Sequence, residues 1–205
     1  MAASSVLRFL ARWRPALYVA VPLGLYLGGW HTEVPGRTQQ ALLATGLYRP
    51  RLPAAAPAAA VPADYSLPLR TLDGRLTTLA ELRGQVILLN IWATWCPPCI
   101  AEMPGLQRLH DKLRRDDNVS LVLLSVDEKA ERAQRFVARR GFTMPIYTLA
   151  GPVPAVYESP AIPITFIIAP NGTIVARHEG MGNYDTPEVL AYLRKLAATP
   201  PAEAR

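Results

Sequence analysis

The feature that most constrains the fold of this chain is a pair of cysteines that follows a short apolar run. Residues 86–92, VILLNIW, are too few for a lone helix and rich in β-branched and bulky side chains, which predicts a strand buried on both faces. After Cys96 come two prolines, which the first turn of a helix tolerates, and then leucines at helical spacing, Leu106, Leu109 and Leu113. The sequence therefore predicts a strand that leads two cysteines to the start of a helix.

Cys96 and Cys99 are the only cysteines among the 205 residues. Free amides and the dipole at a helix start stabilise a thiolate, so we expect Cys96, the more exposed of the two, to have a lowered pKa and to act as nucleophile. Cys99, one turn further along, is placed to attack a mixed disulfide on Cys96 and release the substrate. A C-x-x-C pair beside a β-α pattern is typical of such redox centres.

Two other roles for a cysteine pair fit this sequence less well. A zinc site needs about four ligands, but the chain has no third cysteine, and His31, His110 and His178 show no ligand spacing. A structural disulfide between such near neighbours would close a very small loop and add little stability. Redox chemistry is therefore the favoured interpretation.

The motifs around the cysteines together resemble a known family. WCPPC after an apolar strand, then Glu102 and Pro104, and later Ile162-Pro163 before another strand, are similar to the membrane-anchored thioredoxin-fold proteins of the TlpA/ResA type. That group includes the thiol-disulfide reductases of cytochrome c maturation. The resemblance covers about residues 64–198. It implies an α/β, thioredoxin-like fold with a central mixed β-sheet flanked by helices and an N-terminal β-hairpin extension.

The resemblance also implies roles for individual residues. The Ile162–Pro163 bond would be cis and lie beside the dithiol, with the backbone of Ile162 pairing with an extended substrate segment. We expect Pro163→Thr to slow exchange or to trap mixed disulfides. Glu102, one helical turn from Cys99, matches the family's acidic position and is expected to be a partly buried carboxylate that exchanges a proton with Cys99, its pKa raised by desolvation. Spacing alone would favour an exposed glutamate.

Two further residues near the cysteines, Trp95 and Pro97, are candidates for the site, and a third, Asn90, bears on the role of Glu102. Asn90 stands where ordinary thioredoxins carry a buried aspartate, and because it cannot exchange a proton, Glu102 becomes the stronger candidate for acid and base. Trp95 and Pro97 are expected to form an apolar lip around Cys96 on which a substrate docks.

The positive charge of the chain is concentrated near its N-terminus. Residues 1–63 hold six arginines and one acid, a net +5, whereas residues 64–205 hold sixteen basic and fifteen acidic residues, a net +1. No basic stripe interleaved with aromatic residues marks the second part. We therefore predict no nucleic-acid binding.

Residues 15–32 carry no charged side chain, and eighteen residues at helical rise span roughly 27 Å, close to a hydrocarbon core. Three arginines precede this run, which predicts that the N-terminus lies in the cytoplasm. The run would then cross the inner membrane of a bacterium, and the rest of the chain would lie in the periplasm. A cleaved signal peptide is the alternative, but residues 27–30, LGGW, match a cleavage site poorly. We favour a retained, single-pass signal anchor.

The rest of the chain divides into a linker, a domain and a tail. Residues 39–47 can form a short helix. Proline and alanine dominate residues 49–63, which predicts an extended spacer or a simple disordered tether. The predicted division is a cytoplasmic segment 1–14, a transmembrane anchor 15–32, a linker 33–63, a thioredoxin-like domain 64–198 and a C-terminal tail 199–205.

Within the domain, the order of patterns favours parallel strands joined by right-handed crossovers. The first predicted elements are a hairpin over 65–78 that turns at Asp73-Gly74, a helical turn over 79–82, the strand 86–92 and the cysteine helix. A strand 119–126, a helix 128–140, a short strand 144–149 and a turn near Val156 follow. The domain ends with a hairpin of 164–169 and 173–178 around Asn171-Gly172 and a final helix that begins at Pro187 after a cap at Asp185 or Thr186.

The leading functional expectation is an extracytoplasmic thiol-disulfide oxidoreductase that acts as a reductant and needs no cofactor besides its own disulfide. Because an oxidising compartment would keep the dithiol oxidised, reduction requires an electron donor. The resemblance implies a transmembrane protein that carries electrons from cytoplasmic thioredoxin. It also implies protein disulfide substrates, apocytochrome c being the commonest, and a monomeric soluble domain.

Two alternatives use the same fold. A thiol peroxidase would place a threonine and a proline where this chain has Ala93 and Leu89, so its pattern fails. A copper-site assembly protein or metallochaperone would use a wider cysteine spacing and a histidine. Higher activity toward hydrogen peroxide than toward disulfides, or copper retained through purification, would favour one of these.

Overall fold

The computed structural model describes residues 18–22, 43, 50 and 61–199. Residues 18–22 are helical and exposed. Among the described helices, none is both long enough and apolar enough to cross a bilayer. The predicted segments 1–14 and 15–32, the linker 33–63 and the tail lie wholly or mostly outside the described residues.

The strands of the described residues form one mixed sheet. They are β1 (Val61–Pro62), β2 (Pro68–Thr71), β3 (Leu76–Thr78), β4 (Val86–Trp92), β5 (Val119–Ser125), β6 (Ile146–Leu149), β7 (Ile164–Ile168) and β8 (Thr173–Glu179). Their order across the sheet is β1-β8-β7-β4-β5-β6-β2-β3. The β4–β5 and β5–β6 pairs are parallel, as the β-α-β-α pattern predicted, and the other pairs are antiparallel.

Within residues 61–199, three helices accompany the sheet: α1 (Pro97–Leu113), α2 (Ala130–Arg140) and α3 (Pro187–Ala197). The hydroxyl of Thr186 caps α3 by accepting from the N–H of Val189, and Gly141 ends α2 with φ 65°. Two short 3₁₀ turns are present: Leu79–Leu82 lies where a helical turn was predicted, and Ala155–Tyr157 lies where a turn was predicted near Val156.

The predicted hairpins are confirmed, and most differences from the predicted bounds are at element ends. Helix α2 begins at Ala130 and not at position 128, because Lys129 has an extended backbone and acts as its N-cap. Strand β6 begins at Ile146 and not at position 144, because Pro145 has no N–H to give to a ladder.

Strand β4 is fully buried and divides the core into two clusters. Leu88 and Trp92 pack with side chains of all three helices, including Phe136, whose ring centroid is 5.5 Å from that of Trp92. Ile87, Leu89 and Ile91 pack on the other side with side chains of β7 and of the segment before it. Because apolar burial is the main stabilising contribution to folding, β4 holds its carboxyl end, and hence the cysteines that follow, in a fixed position.

Candidate active site

Cys96 and Cys99 form a disulfide at the start of α1, with their Cα atoms 5.3 Å apart. Cys96 is the N-cap of the helix, and its Sγ accepts a hydrogen bond from the backbone N–H of Cys99 at 3.3 Å. Both residues are buried, with 4% of Cys96 and 1% of Cys99 exposed. In the reduced protein the same N–H and the helix dipole would stabilise a thiolate on Cys96.

The segment before β7 faces the disulfide. The Ile162–Pro163 peptide bond is cis, as the resemblance implied, and Pro163 is buried. The carbonyl oxygen of Ile162 lies 3.8 Å from Sγ of Cys96. From this position the oxygen can accept a hydrogen bond from the thiol of a reduced Cys96, and a substrate bonded to Cys96 would lie against the backbone of Ile162.

Glu102 is more deeply buried than the sequence predicted, with only 2% of its surface exposed. Its Oε1 accepts a hydrogen bond from the backbone N–H of Gly182, and its Oε2 accepts one from the side-chain nitrogen of Asn90 at 3.2 Å. Burial raises the pKa of Glu102 to about 8, and the two hydrogen bonds offset part of that effect. Glu102 follows Cys99 by one helical turn, so the two residues share a face of α1.

Asn90 links Glu102 to the neighbouring strand. It is fully buried, and its side-chain nitrogen also donates to the hydroxyl of Thr165, the residue opposite it on β7, at 2.9 Å. Its amide oxygen accepts no hydrogen bond from the described residues. In the other orientation of the amide, that oxygen would accept a hydrogen bond from the O–H of a neutral Glu102, so Asn90 can pair with both protonation states.

A small cavity of about 180 Å³ borders Glu102. Gly182, Asn183 and Leu43 are among the residues that line it. Leu43 is buried, and its carbonyl oxygen accepts a hydrogen bond from the side chain of Asn183 at 3.4 Å. A residue of the predicted linker therefore contacts the domain beside Glu102, which the sequence did not indicate.

A second carboxylate, not predicted from the sequence, holds the turn that leads to the cysteines. Asp127 is buried and accepts hydrogen bonds from the backbone N–H of Thr94 at 3.0 Å and from the hydroxyl of Thr94 at 2.7 Å. The hydroxyl of Ser125 donates to it at 2.8 Å. An acidic residue two positions after the end of β5, a strand parallel to β4, was the signal that could have identified it, because such strands end side by side.

The remaining predicted residues are distributed as follows. Trp95 is 54% exposed beside the disulfide, and Pro97 is half-buried in the first turn of α1. Their role as a docking lip stays a prediction. His110 and His178 are both half-buried and belong to different elements. No group of three or more His, Cys, Asp or Glu side chains within the described part of the chain is arranged to hold a metal.

A disulfide at the start of the helix after a central strand, with a cis-proline segment facing it on a mixed sheet, defines a thioredoxin-like protein. The family described as Redoxin matches residues 53–193, and the chain belongs to that family. This match confirms the thioredoxin-like part of the resemblance noted from the sequence.

Two curated relatives and one solved structure illustrate the similarity. The chain is 35% identical over 113 residues to the thiol-disulfide oxidoreductase ResA of Halalkalibacterium halodurans, which covers 55% of this chain and 64% of that protein. It is 35% identical over 118 residues to the thioredoxin-like protein YneN of Bacillus subtilis, covering 57% and 68% respectively. A thiol:disulfide interchange protein of the thioredoxin family from Chlorobium tepidum TLS has a TM-score of 0.56 at 24% identity, covering 67% of this chain and 99% of that one, and supports the fold.

Proposed function

We propose that this protein is a membrane-anchored, extracytoplasmic thiol-disulfide oxidoreductase that reduces disulfides through Cys96 and Cys99. The observation that carries the proposal is the disulfide at the N-terminus of α1, in contact with Ile162 and one helical turn from the buried Glu102. The similarity to a thiol-disulfide oxidoreductase named ResA supports the same activity.

The first step begins from the reduced protein. The Cys96 thiolate attacks one sulfur of a substrate disulfide, a bond forms between the two sulfurs, and the other substrate sulfur leaves as a thiolate that takes a proton from water. The backbone N–H of Cys99 and the positive end of α1 stabilise the attacking thiolate. Trp95, Pro97 and the backbone of Ile162 hold the substrate segment beside it, next to Pro163.

The second step releases the substrate. Cys99 gives its proton to the Glu102 carboxylate and attacks Sγ of Cys96, which forms the intramolecular disulfide and expels the second substrate thiolate. Two electrons have then passed from the dithiol to the substrate. When a donor reduces the protein again, Cys99 is the leaving thiolate, and protonated Glu102 returns the proton. A pKa of about 8 suits both directions, because either form of Glu102 is accessible near neutral pH.

The cellular setting of the proposal comes from the N-terminal sequence and the relatives. An uncharged run over 15–32 behind three arginines supports a single-pass anchor in a bacterial inner membrane, with the domain in the periplasm. A transmembrane protein linked to thioredoxin would supply the electrons, and apocytochrome c with its C-x-x-C-H segment would be a substrate. The soluble domain would act as a monomer.

Trapping of mixed disulfides in membranes tests the proposed activity, and the N-terminus of the mature protein tests the proposed anchor. Cys99→Ser in membranes should accumulate mixed disulfides between Cys96 and its partners, because the resolving thiol is missing, whereas the control Cys96→Ser should accumulate none. Absence of trapped partners, or a Cys96 that resists alkylation at neutral pH in the reduced protein, would contradict the proposed activity. A mature protein that begins near residue 30 would contradict the anchor.

A further inference from the structure

An apolar groove of about 530 Å³ lies beside the segment that faces the disulfide. Ile91 and Ile164, directly opposite each other on β4 and β7, lie along it, and Val153 and Tyr157 contribute from the segment between β6 and β7. The volume falls within the range of roughly 300 to 1,000 Å³ that is usual for ligand pockets. Apart from Ile162, which also lines it, none of these residues was a predicted site residue.

Ile162 connects the groove to the reacting sulfur of Cys96, because it contacts both. The residue lines the groove, and its carbonyl oxygen lies 3.8 Å from Sγ of Cys96. A polypeptide that forms a mixed disulfide with Cys96 and lies along the backbone of Ile162 therefore passes the mouth of the groove. Residues of the substrate close to its cysteine are within reach of it.

Two hydroxyl groups of the groove wall, those of Tyr157 and Ser159, already form hydrogen bonds within the protein. The ring of Tyr157 packs edge-on against Phe166, with centroids 5.3 Å apart, and its hydroxyl donates to the carbonyl oxygen of Asp64 at 3.1 Å. The hydroxyl of Ser159 donates to the carbonyl oxygen of Ala161 at 2.8 Å. The groove thus offers a firm, mainly apolar surface.

Among the residues that the structure describes, Glu158 is the single charged one that lines the groove, and it is exposed. Arg177 contacts Glu158 through its backbone oxygen, at 3.4 Å, and not through its carboxylate. The guanidinium of Arg177 forms its salt bridge with the carboxylate of Glu179, at 2.7 Å. Within residues 61–199, no side chain forms a hydrogen bond or a salt bridge with the Glu158 carboxylate. The charge at the groove is therefore negative.

We propose that this groove binds a bulky apolar side chain of the substrate polypeptide close to the cysteine under attack, with a lysine or arginine next to it facing Glu158. The inference rests on the proposed function and adds a substrate class to it: disulfides flanked by an apolar and a basic residue. Burial of a leucine-sized side chain favours such substrates by about tenfold or more. The exposed charge pair adds about two- to fivefold.

Exchange rates with matched peptides test this inference. Three disulfide peptides differ only in the residues that flank the reactive cysteine, which are leucine with lysine, serine with lysine, or leucine with glutamate. The second-order rate constant of the reduced full-length chain with each peptide is divided by the rate constant of dithiothreitol with the same peptide, which removes intrinsic reactivity. Hydroxyethyl disulfide, which is small and uncharged, reports the cysteine chemistry without the groove.

Two pairs of variants complete the design. Val153→Asp places a charge in the groove wall, and Leu76→Asp makes the same kind of change on the exposed face of β3, at the far edge of the sheet. Glu158→Gln removes the charge of the groove, and Glu131→Gln removes an exposed charge on α2.

The inference predicts that the leucine peptide reacts about tenfold faster than the serine peptide, that Val153→Asp abolishes this preference, and that Glu158→Gln abolishes the preference for lysine over glutamate. The control variants and the rates with hydroxyethyl disulfide should not change. Equal normalised rates for all three peptides would overturn the inference, as would equal slowing of hydroxyethyl disulfide by Val153→Asp. A reduced wild-type protein that fails to react with hydroxyethyl disulfide would instead contradict the proposed function itself, and the substrate class would fall with it.

Discussion

The side-chain nitrogen of Asn90 lies 3.2 Å from Oε2 of Glu102, so a neutral amide faces the buried carboxyl one helical turn from the second cysteine. A cation in that place would lower the pKa of Glu102, and a second acid would raise it further. With a neutral neighbour, burial dominates and the pKa reaches about 8. The contact thus lets Glu102 release or accept a proton near neutral pH.

Glu102→Gln should change the pH dependence with which the disulfide is reduced. In the oxidised wild type, protonated Glu102 supplies the proton to the departing Cys99, and this form is lost as the pH rises through about 8. The rate constant, corrected for the thiolate fraction of the reductant, should fall over that range. In the variant it should be about tenfold or more lower at pH 7 and lack this step.

Stopped-flow tryptophan fluorescence with dithiothreitol measures these rates, since Trp92 and Trp95 lie close to the disulfide along the chain. Glu131→Gln, an exposed change on α2, is the matched control and should keep the wild-type profile. Superimposable pH profiles for wild type and Glu102→Gln would remove Glu102 from proton transfer.

The buried carboxyl of Glu102 should also make the free energy of unfolding depend on pH. Its folded pKa is raised from 4.5 to about 8, so the folded state binds a proton that the unfolded state has already lost between these values. The stabilisation is complete below pH 4.5 and is lost as the pH rises through about 8. Relative to Glu102→Gln, the wild type should lose about 1.4 kcal/mol per pH unit over this window.

Urea unfolding of both oxidised proteins between pH 5 and pH 8 measures the difference in free energy of unfolding directly. The prediction concerns how this difference changes with pH, so a loss of stability caused by the glutamine that is the same at every pH does not affect the result. Parallel stability curves over this range would mean that Glu102 titrates normally, despite its burial.

Asp127→Asn should destabilise the protein by about 1–3 kcal/mol, because the asparagine keeps one acceptor oxygen and loses the other while Thr94 and Ser125 still donate. Thr94→Val removes only the hydroxyl contact and should cost about 1 kcal/mol. Chemical denaturation measures both. Asp117→Asn, an exposed change, is the control, and a loss at position 127 no larger than the control's would contradict this role for Asp127.

Local patterns were sufficient to predict the elements that carry the cysteines. The apolar run of β4, the prolines at the start of α1 and the Asn171-Gly172 turn each act within a few residues, so the sequence reveals them directly. The resemblance added the cis peptide bond at Pro163 and the acidic position of Glu102, neither of which periodicity could supply.

The surroundings of Glu102 could not be predicted, because they depend on contacts between distant parts of the chain. Gly182 and Thr165 lie 80 residues from Glu102 and 75 from Asn90, respectively. These contacts require the register of β7 against β4 and the path of the chain after β8, which no local pattern encodes. The depth at which Glu102 is buried was underestimated for the same reason.

Asn90→Asp provides a direct test of the neutral neighbour. Two buried carboxyls about 3 Å apart cannot both ionise, so they would share a proton and their second ionisation would move well above pH 8. The variant should be destabilised relative to wild type increasingly as the pH rises above 7. The step in the reduction rate near pH 8 should move to higher pH.

A double-mutant cycle isolates the interaction behind this effect. In Asn90→Asp combined with Glu102→Gln, a single carboxyl again faces a neutral amide, so most of the stability lost by Asn90→Asp at pH 8 should return. The free energies of unfolding of the four proteins at pH 6 and pH 8 complete the cycle. If the losses of the two single variants simply add at both pH values, the side chains at 90 and 102 do not interact electrostatically, and the neutral amide of Asn90 has no part in setting the pKa of Glu102.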